Sequence, residues 1–235
     1  MSKHNRHTQD AEGEGAAALD VSLRRDEHGL ALVGGGMEVR GDFSRLLPRT
    51  RPDRLAGELL VRAAKVRGVE APWAIDATAG LGEDSFLLAA AGFRVSMYEA
   101  DPTIAALLRD ALARAQADPE LAPVAARMEL FEQNSIEAMA HLDGAPDVVY
   151  LDPMFPERRK SAAVKKKFQL IHHLEAPCQD EDALLAAAIS AAPRKVVVKR
   201  PAKGPNLAGV KPSHSLAGKA VRYDVILPAS AKLPH

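Results

Sequence analysis

Between residues 73 and 201, short apolar stretches alternate with longer stretches that are rich in alanine and leucine. The short stretches have the length and β-branched content of buried strands, and the longer ones have helical spacing. The short stretches read WAID, FRVSMY, RMELF, VVYL and KVVVKRP, and AVRYDVILP follows near the end of the chain. Strands that alternate with helices predict an α/β fold, in which helices cover both faces of a parallel sheet.

The residues before this pattern predict a small N-terminal extension. Residues 1–18 are polar and rich in glycine and alanine, and we expect them to be disordered. Residues 19–68 are predicted to form a hairpin, in the stretch LALVGGGMEVRGDF, and then one helix over residues 51–68. Residues 69–235 are then predicted to form a single α/β domain.

Composition excludes several classes of protein. The single cysteine, Cys178, excludes an internal disulfide and is typical of the reducing cytoplasm, where we expect the protein. The chain has no run of about 18 apolar residues and no signal-peptide pattern, so we expect no membrane segment. We expect no metal, because no ligand spacing typical of a metal site is present.

The stretch AIDATAGLGEDSF predicts a ligand-binding turn. It places Asp76 at a strand end, then Gly80 and Gly82, and then the start of a helix. Open α/β sheets bind nucleotides at such turns. The stretch lacks the third glycine of the dinucleotide fingerprint and the Gly-Lys of a P-loop, and Glu83 and Asp84 would repel a pyrophosphate. A cofactor with a cationic centre, such as S-adenosylmethionine (SAM), fits better.

The next two strands end in polar residues that suit the nucleoside part of such a cofactor. After MYEAD, Glu99 is the first choice for the ribose hydroxyls, and Asp101 is the second choice because it can also cap the helix that begins at Pro102. After EQNS, Asn134 and Ser135 either contact an adenine edge or cap the following helix. The sequence favours neither interpretation of that pair.

The fourth strand ends in LDPMFP, and its carboxyl end is expected beside the glycine turn. Pro153 fixes its own φ and has no N–H, so the turn after Asp152 is rigid. A carboxylate and the Pro153 carbonyl that point at one position suit the exocyclic amine of a base, and Phe155 is predicted to stack on a base that has left its helix. The simpler interpretation is an ordinary strand-ending turn, which requires neither two prolines nor an exposed Met-Phe pair.

Basic residues cluster after two of the strands. From Glu157 to Arg222 there are 14 Lys and Arg against 5 Asp and Glu, although the net charge of the chain is zero. The stretches ERRKSAAVKKK and KRPAKG both follow strand ends, which predicts one rim that contacts RNA phosphates, and a solvated basic surface is the alternative. The predicted RNA-binding residues are Arg158, Arg159, Lys160, Lys165, Lys166, Lys167, Lys199, Arg200 and Lys203.

Three stretches resemble a known family. DATAGLGEDSFLLAAAGFRV, VVYLDPMFPERRKSAAVKKK and RKVVVKRPA are similar to segments of the RsmJ family of bacterial small-subunit (16S) ribosomal RNA (guanine-N2)-methyltransferases, and the similarity covers roughly residues 34–227. The resemblance implies a Rossmann-like class I SAM-dependent methyltransferase fold with a small N-terminal hairpin and helix extension, and ribosomal RNA as the partner. It also implies cofactor contacts at Glu83, where the family usually carries Arg, and at Asp84, Glu99, Ala100, Asn134, Ser135 and Asp152.

Together, these observations predict transfer of a methyl group from SAM to the N2 amine of a guanine in 16S ribosomal RNA. Asp152, Pro153 and Phe155 are the predicted catalytic residues. The predicted cofactor-binding residues are Asp76, Gly80, Gly82, Glu83, Asp84, Glu99, Ala100, Asn134, Ser135 and Asp152. Two alternatives remain: a methyltransferase for adenine N6 or a glutamine amide, and a non-catalytic RNA-binding assembly factor. The acids after the glycine turn disfavour a nicotinamide oxidoreductase.

Overall fold

The computed structural model describes residues 21–153 and 180–230 of the chain. The strands in these residues are β1 (Val21–Asp26), β2 (Gly29–Gly34), β3 (Met37–Val39), β4 (Trp73–Asp76), β5 (Arg94–Tyr98), β6 (Met128–Phe131), β7 (Val148–Leu151), β8 (Lys195–Pro201), β9 (His214–Ala217) and β10 (Val221–Ile226). The α-helices in these residues are α1 (Leu47–Thr50), α2 (Pro52–Leu55), α3 (Leu59–Ala64), α4 (Glu83–Ala90), α5 (Pro102–Ala117), α6 (Ala122–Ala125), α7 (Ser135–Met139) and α8 (Glu181–Ser190). Within these two ranges, no helix has the length and apolar content needed to cross a membrane.

Strands β4 to β10 form one seven-stranded sheet in the order β6-β5-β4-β7-β8-β10-β9. The neighbouring strands from β6 to β8 run parallel to one another. The chain moves outward from β4 through β5 to β6, and in the opposite direction from β7 to β8, so the strand order reverses between β4 and β7. Open α/β sheets bind ligands beside the carboxyl ends of the strands at such a reversal. The predicted α/β fold is confirmed, and β7 lies beside β4 as expected.

The prediction of a parallel sheet is wrong at one edge, where β10 runs antiparallel to both β8 and β9. A parallel neighbour requires a long crossover, which is usually a helix. The chain between β8 and β10 instead contains a short 3₁₀ turn, Leu207–Gly209, and the strand β9. The chain therefore returns beside β8 as a hairpin edge rather than through a crossover helix.

Helices cover both faces of the sheet, as predicted. Val148 and Tyr150 of β7 pack in the layer that contains α4 and α5, whereas Val149 and Leu151 pack in the layer that contains α8. All four side chains are at most 1% exposed. Because successive strand residues face opposite layers, this burial fixes the register of β7. Asp152, which follows Leu151, therefore lies at the carboxyl edge of the sheet.

The N-terminal extension is a three-stranded antiparallel sheet, β1-β2-β3. Its β2–β3 hairpin was predicted, whereas β1 was not. The sheet packs on α5 through an apolar cluster that includes Val39 and Leu107. Asp110 of α5 also accepts hydrogen bonds from Arg25 Nη1 at 2.6 Å and from the backbone N–H of Leu30 at 2.9 Å. Apolar and charged contacts thus join the extension to α5, and the proposed boundaries at residues 18 and 68 stay predictions.

The single helix predicted over residues 51–68 is wrong. Within this range the structure has two short helices instead, α2 and α3, and α1 ends before it begins. Arg51 adopts an extended ψ of 139°, because a residue before proline avoids the helical region. The chain is extended again at Glu58, where ψ is 125°. The apolar spacing in this segment reflects two short helices, α2 and α3, that each bury their own apolar residues.

Candidate active site

The glycine turn lies between β4 and α4. Gly80 and Gly82 have φ angles of 53° and 76°, which are in the left-handed region that favours glycine. A Cβ on Gly82 would lie 2.7 Å from Leu108 Cδ1 of helix α5. The turn therefore packs directly against α5, and its shape depends on these glycines.

Asp76 supports this turn from inside the protein. Its side chain is buried, and its two oxygens accept hydrogen bonds from Ser85 Oγ at 2.6 Å and from the backbone N–H of Thr78 at 3.1 Å. Burial raises the pKa of Asp76 to about 7, although the hydrogen bond from Ser85 lowers it. Asp76 thus joins the end of β4 to the first turn of α4, and a direct cofactor contact by this residue stays a prediction.

Glu99 lies against the same turn. Its Oε2 accepts a hydrogen bond from the backbone N–H of Gly80, and its Oε1 accepts one from the backbone N–H of Asp101, each at 2.9 Å. A carboxylate oxygen can accept a second hydrogen bond, so both oxygens retain capacity for ribose hydroxyls. Burial raises the pKa of Glu99, and the two backbone donors lower it. The adjacent Ala100 is exposed.

Two residues that could either cap a helix or bind the cofactor are helix caps in the structure. Asp101 Oδ1 accepts hydrogen bonds from the backbone N–H groups of Thr103 and Ile104, so this carboxylate caps α5. Asn134 Oδ1 accepts a hydrogen bond at 2.9 Å from the backbone N–H of Ile136 and caps α7. Glu99 thereby becomes the better candidate for the ribose. A contact of Asn134 or Ser135 with adenine stays a prediction.

The end of β7 is tied to the glycine turn. The backbone N–H of Asp152 donates to Thr78 Oγ1 at 2.7 Å, and the backbone N–H of Ala77 donates to the Tyr150 carbonyl at 3.1 Å. Pro153 is buried directly after Asp152. The Asp152 corner and the glycine turn therefore form one crevice at the reversal of strand order.

A lysine links this corner to the start of α4. Lys199 Nζ at the end of β8 lies 2.8 Å from Asp152 Oδ2 and 2.7 Å from Asp84 Oδ2. The hydroxyl of Tyr150 also donates to Asp84 Oδ2, at 2.6 Å. Glu83, next to Asp84, is exposed. Lys199 was predicted to lie on the RNA-binding rim, and the structure instead places it inside the crevice between two carboxylates.

Comparisons with known proteins agree with this geometry. A family model described as "Putative SAM-dependent methyltransferase" matches residues 20–228. The chain is 45% identical to "Ribosomal RNA small subunit methyltransferase J" of Pseudomonas fluorescens (strain SBW25), over 89% of this chain and 83% of that protein. The protein of the same name in Neisseria gonorrhoeae is also 45% identical, over 88% of this chain and 83% of that protein. The chain belongs to the ribosomal RNA small subunit methyltransferase J family. The resemblance found in the sequence is thus confirmed.

The crystal structure of a SAM-dependent methyltransferase from Neisseria gonorrhoeae is similar to this fold. It superposes with a TM-score of 0.74 at 36% sequence identity, and the match covers 95% of this chain and 90% of that chain. The predicted Rossmann-like methyltransferase fold is therefore confirmed, and SAM is the cofactor of the family.

The residues around the glycine turn fit SAM. Three carboxylates, those of Glu99, Asp84 and Asp152, surround the crevice, and Lys199 is the cation that lies between two of them. This excess of negative charge favours a ligand that carries a sulfonium and an ammonium. Among residues 21–153 and 180–230, no group of three His, Cys, Asp or Glu is arranged to hold a metal ion.

The predicted RNA-binding rim is only partly within the described residues. Arg200 is wrongly assigned to it, because its side chain is 0% exposed, its Nε donates to the Pro205 carbonyl at 3.0 Å and its Nη1 pairs with Glu181 at 3.2 Å. Lys203 is exposed, and its contact with RNA stays a prediction. The predicted residues that lie outside the described ranges are Phe155, Arg158, Arg159, Lys160, Lys165, Lys166 and Lys167.

The strand register explains the position of Lys199, which its basic neighbours in the sequence do not indicate. β7 and β8 are parallel, with Tyr150 opposite Val197 and Leu151 opposite Val198. The residues that follow, Asp152 and Lys199, are therefore next to each other at the carboxyl edge. An acid directly after one buried strand, opposite a lysine in the last part of the adjacent strand, indicates an ion pair in the crevice.

Proposed function

We propose that this cytoplasmic methyltransferase transfers the methyl group of SAM to the exocyclic N2 of a guanine in 16S ribosomal RNA. The names of its relatives support an acceptor in small-subunit ribosomal RNA. The observation that carries the proposal is the Asp152 corner, whose backbone is hydrogen-bonded to Thr78 of the glycine turn. A hydrogen-bond acceptor is thereby held at the point where a planar amine has to meet the cofactor.

The Asp152 carboxylate has the right pattern of free and occupied oxygens for this role. Its Oδ2 is 2.8 Å from Lys199 Nζ, whereas its Oδ1 accepts no hydrogen bond from the described residues. The Asp152 side chain is 38% exposed, so a ligand in the crevice can reach it. We assign Oδ1 and the carbonyl of Pro153 to the two N–H groups of the guanine N2 amine.

These two acceptors make the N2 amine a better nucleophile. The lone pair of an exocyclic amine is delocalised into the ring, so the amine is a weak nucleophile. When bound, SAM supplies an electrophilic methyl group on its sulfonium. Asp152 and Pro153 hold the N–H groups in line and localise the lone pair, and most of the rate increase comes from this alignment. The proton that the amine loses can pass to Asp152 or to water, so the chemistry requires no strong base.

The RNA is held by phosphate contacts, and the base must leave its helix to enter the crevice. The exposed Lys203 follows β8, whose carboxyl end lies at the same edge of the sheet as that of the parallel strand β7, and it is the described residue that we assign to this contact. From the sequence, we also assign the basic stretch at residues 157–167 to the RNA phosphates and Phe155 to stacking on the base.

Mass spectrometry of 16S ribosomal RNA tests the proposal. RNA from cells that lack the protein should miss one N2-methylguanine, and expression of the wild-type chain should restore it. A parallel incubation with methyl-labelled SAM and separated RNA, DNA and protein identifies the acceptor class. An unchanged set of 16S methylations, a lost N6-methyladenine, or label in protein would refute the assignment to guanine N2.

A further inference from the structure

We propose that Lys199 is a positioning residue for methyl transfer: its ammonium group fixes the Asp152 carboxylate so that Oδ1 faces the acceptor amine. This inference rests on the proposed function, because it assigns a task to Asp152 during the same reaction. It removes Lys199 from the set of residues that contact RNA phosphates.

The geometry around Lys199 leaves its ammonium little freedom. Nζ contacts Asp152 Oδ2 at 2.8 Å and Asp84 Oδ2 at 2.7 Å. Tyr150, which is 1% exposed, donates its hydroxyl to the same oxygen of Asp84 and so holds that carboxylate in place. The four side chains come from α4, β7, β8 and the residue after β7. Because these elements are packed, the position of Nζ determines which oxygen of Asp152 points into the crevice.

The same contacts make Lys199 a poor ligand for a phosphate. Its side chain is 26% exposed, and two of the three N–H donors of an ammonium are already used by carboxylates. A phosphate would have to break at least one charge-assisted hydrogen bond to bind there. The negative charge of Asp84 and Asp152 would also repel the phosphate.

Lys199 also lowers the pKa of Asp152. The charged groups that shift the pKa of Asp152 are Asp84 from α4 and Lys199 and Arg200 from β8. The Asp152 carboxylate in turn raises the pKa of Asp76 in β4, of Tyr150 in β7 and of Tyr223 in β10. Burial raises the pKa of Asp152 and Asp84 raises it further, while Lys199 is the largest influence that lowers it. Burial alone would lower the pKa of Lys199, but the two carboxylates outweigh burial and raise it. Loss of Lys199 should therefore shift the titration of Asp152 to higher pH.

The test compares Lys199→Met, Lys199→Arg and Lys195→Met with the wild type. Lys195 is the matched control, because it is in the same strand at the opposite end of the sheet and donates to the carbonyls of Ala63 and Lys65. The measurements are kcat and KM for methyl transfer to 16S ribosomal RNA across a pH series, SAM binding by calorimetry, and the melting temperature. Titration of the Asp152 carboxyl by ¹³C NMR, assigned with Asp152→Asn, gives a readout that does not depend on activity.

Lys199→Met should lower kcat about 100-fold, a loss typical of a misaligned reacting group, and should move the acidic limb of the kcat profile and the Asp152 titration to higher pH. Lys199→Arg keeps the charge, so it should retain the wild-type acidic limb and recover most of kcat. Lys195→Met should leave both the limb and the titration unchanged. If Lys199→Met does not fold, Lys199→Gln takes its place, because it also removes the charge and should give the same loss of kcat and the same shifts of the limb and the titration.

Two results would overturn the inference. One is an unchanged acidic limb and Asp152 titration in Lys199→Met. The other is a rise confined to KM for RNA that disappears at high salt, which is the behaviour of a phosphate contact. Failure of the proposed function gives a different result, since the wild type itself would then transfer no methyl group to 16S ribosomal RNA.

Discussion

Replacement of Glu99 by glutamine tests the proposed contact of this carboxylate with the ribose of SAM. In the wild type, Oε2 faces the N–H of Gly80 and Oε1 faces the N–H of Asp101, each at 2.9 Å. A glutamine amide has one carbonyl oxygen, so its NH₂ group must face one of these two donors. Glu99→Gln therefore removes the negative charge that we assign to the ribose hydroxyls and also disturbs the turn.

The size of the effect follows from the type of hydrogen bond that is lost. A hydrogen bond to a charged group contributes about 1.5–3 kcal/mol. Loss of one such contribution from cofactor binding raises the Kd for SAM about 10- to 150-fold. The unpaired backbone N–H lowers the free energy of unfolding by about 1–3 kcal/mol.

Calorimetry with SAM measures the first effect, and urea denaturation measures the second. Glu120→Gln is the control, because Glu120 is exposed and is outside the crevice. A Kd within twofold of the wild type, together with a clear loss of stability, would refute the assignment of Glu99 to the ribose. It would show that Glu99 serves only the conformation of the turn.

Three further predictions concern stability. Asp110→Ala removes the acceptor for Arg25, for the backbone N–H of Leu30 and for Arg114. Urea denaturation should therefore show that the free energy of unfolding falls by about 2–4 kcal/mol. A fall of less than about 1 kcal/mol would contradict the proposed link between the N-terminal sheet and α5. Gly82→Ala should lower the melting temperature more than Gly68→Ala. Both glycines have φ near 75°, but only a Cβ at position 82 would meet a neighbour, Leu108 Cδ1 at 2.7 Å. An equal fall in melting temperature for the two variants would show that the contact with α5 is easily relieved. Asp76 has a pKa of about 7 when folded, against 3.8 ordinarily, so its stabilising contribution is complete below pH 3.8 and is lost as the pH rises through about 7. The free energy of unfolding of the wild type should thus fall over this pH range relative to that of Asp76→Asn, and parallel curves would contradict the raised pKa.

The parts of the fold that the sequence predicted are those in which one local pattern determines the structure. The strand VVYL of β7 is buried on both faces, so its apolar run needs no partner to be recognised. Helix α5 begins at Pro102, directly after the capping carboxylate of Asp101, as the sequence predicted. The glycine turn and the acid after β5 were found because their spacing follows from the chemistry of nucleotide binding.

The parts that the sequence missed depend on contacts between distant residues. Five of the six residues of β1 are exposed, so this strand has no apolar pattern, and its pairing with β2 defines it. The long helix predicted over residues 51–68 has the right apolar residues, but the extended backbone at Glu58 divides it into α2 and α3. Lys199 and Arg200 were both assigned to a basic surface, and only the tertiary structure places carboxylates beside them. Charge alone does not indicate whether a lysine or arginine is solvated or paired.

The central claim is that the Asp152 corner aligns the acceptor amine with the methyl group. Single-turnover transfer to 16S ribosomal RNA by Asp152→Ala tests it most directly, with Asp143→Ala, a change at an exposed aspartate, as the control. SAM binding and the melting temperature of both variants are measured on the same samples.

The account predicts that Asp152→Ala binds SAM and remains folded while its transfer rate falls by at least about 100-fold. Asp143→Ala should transfer at the wild-type rate. Transfer by Asp152→Ala at the wild-type rate would contradict the account, because a methyltransferase that needs no acceptor at this corner does not align its substrate there.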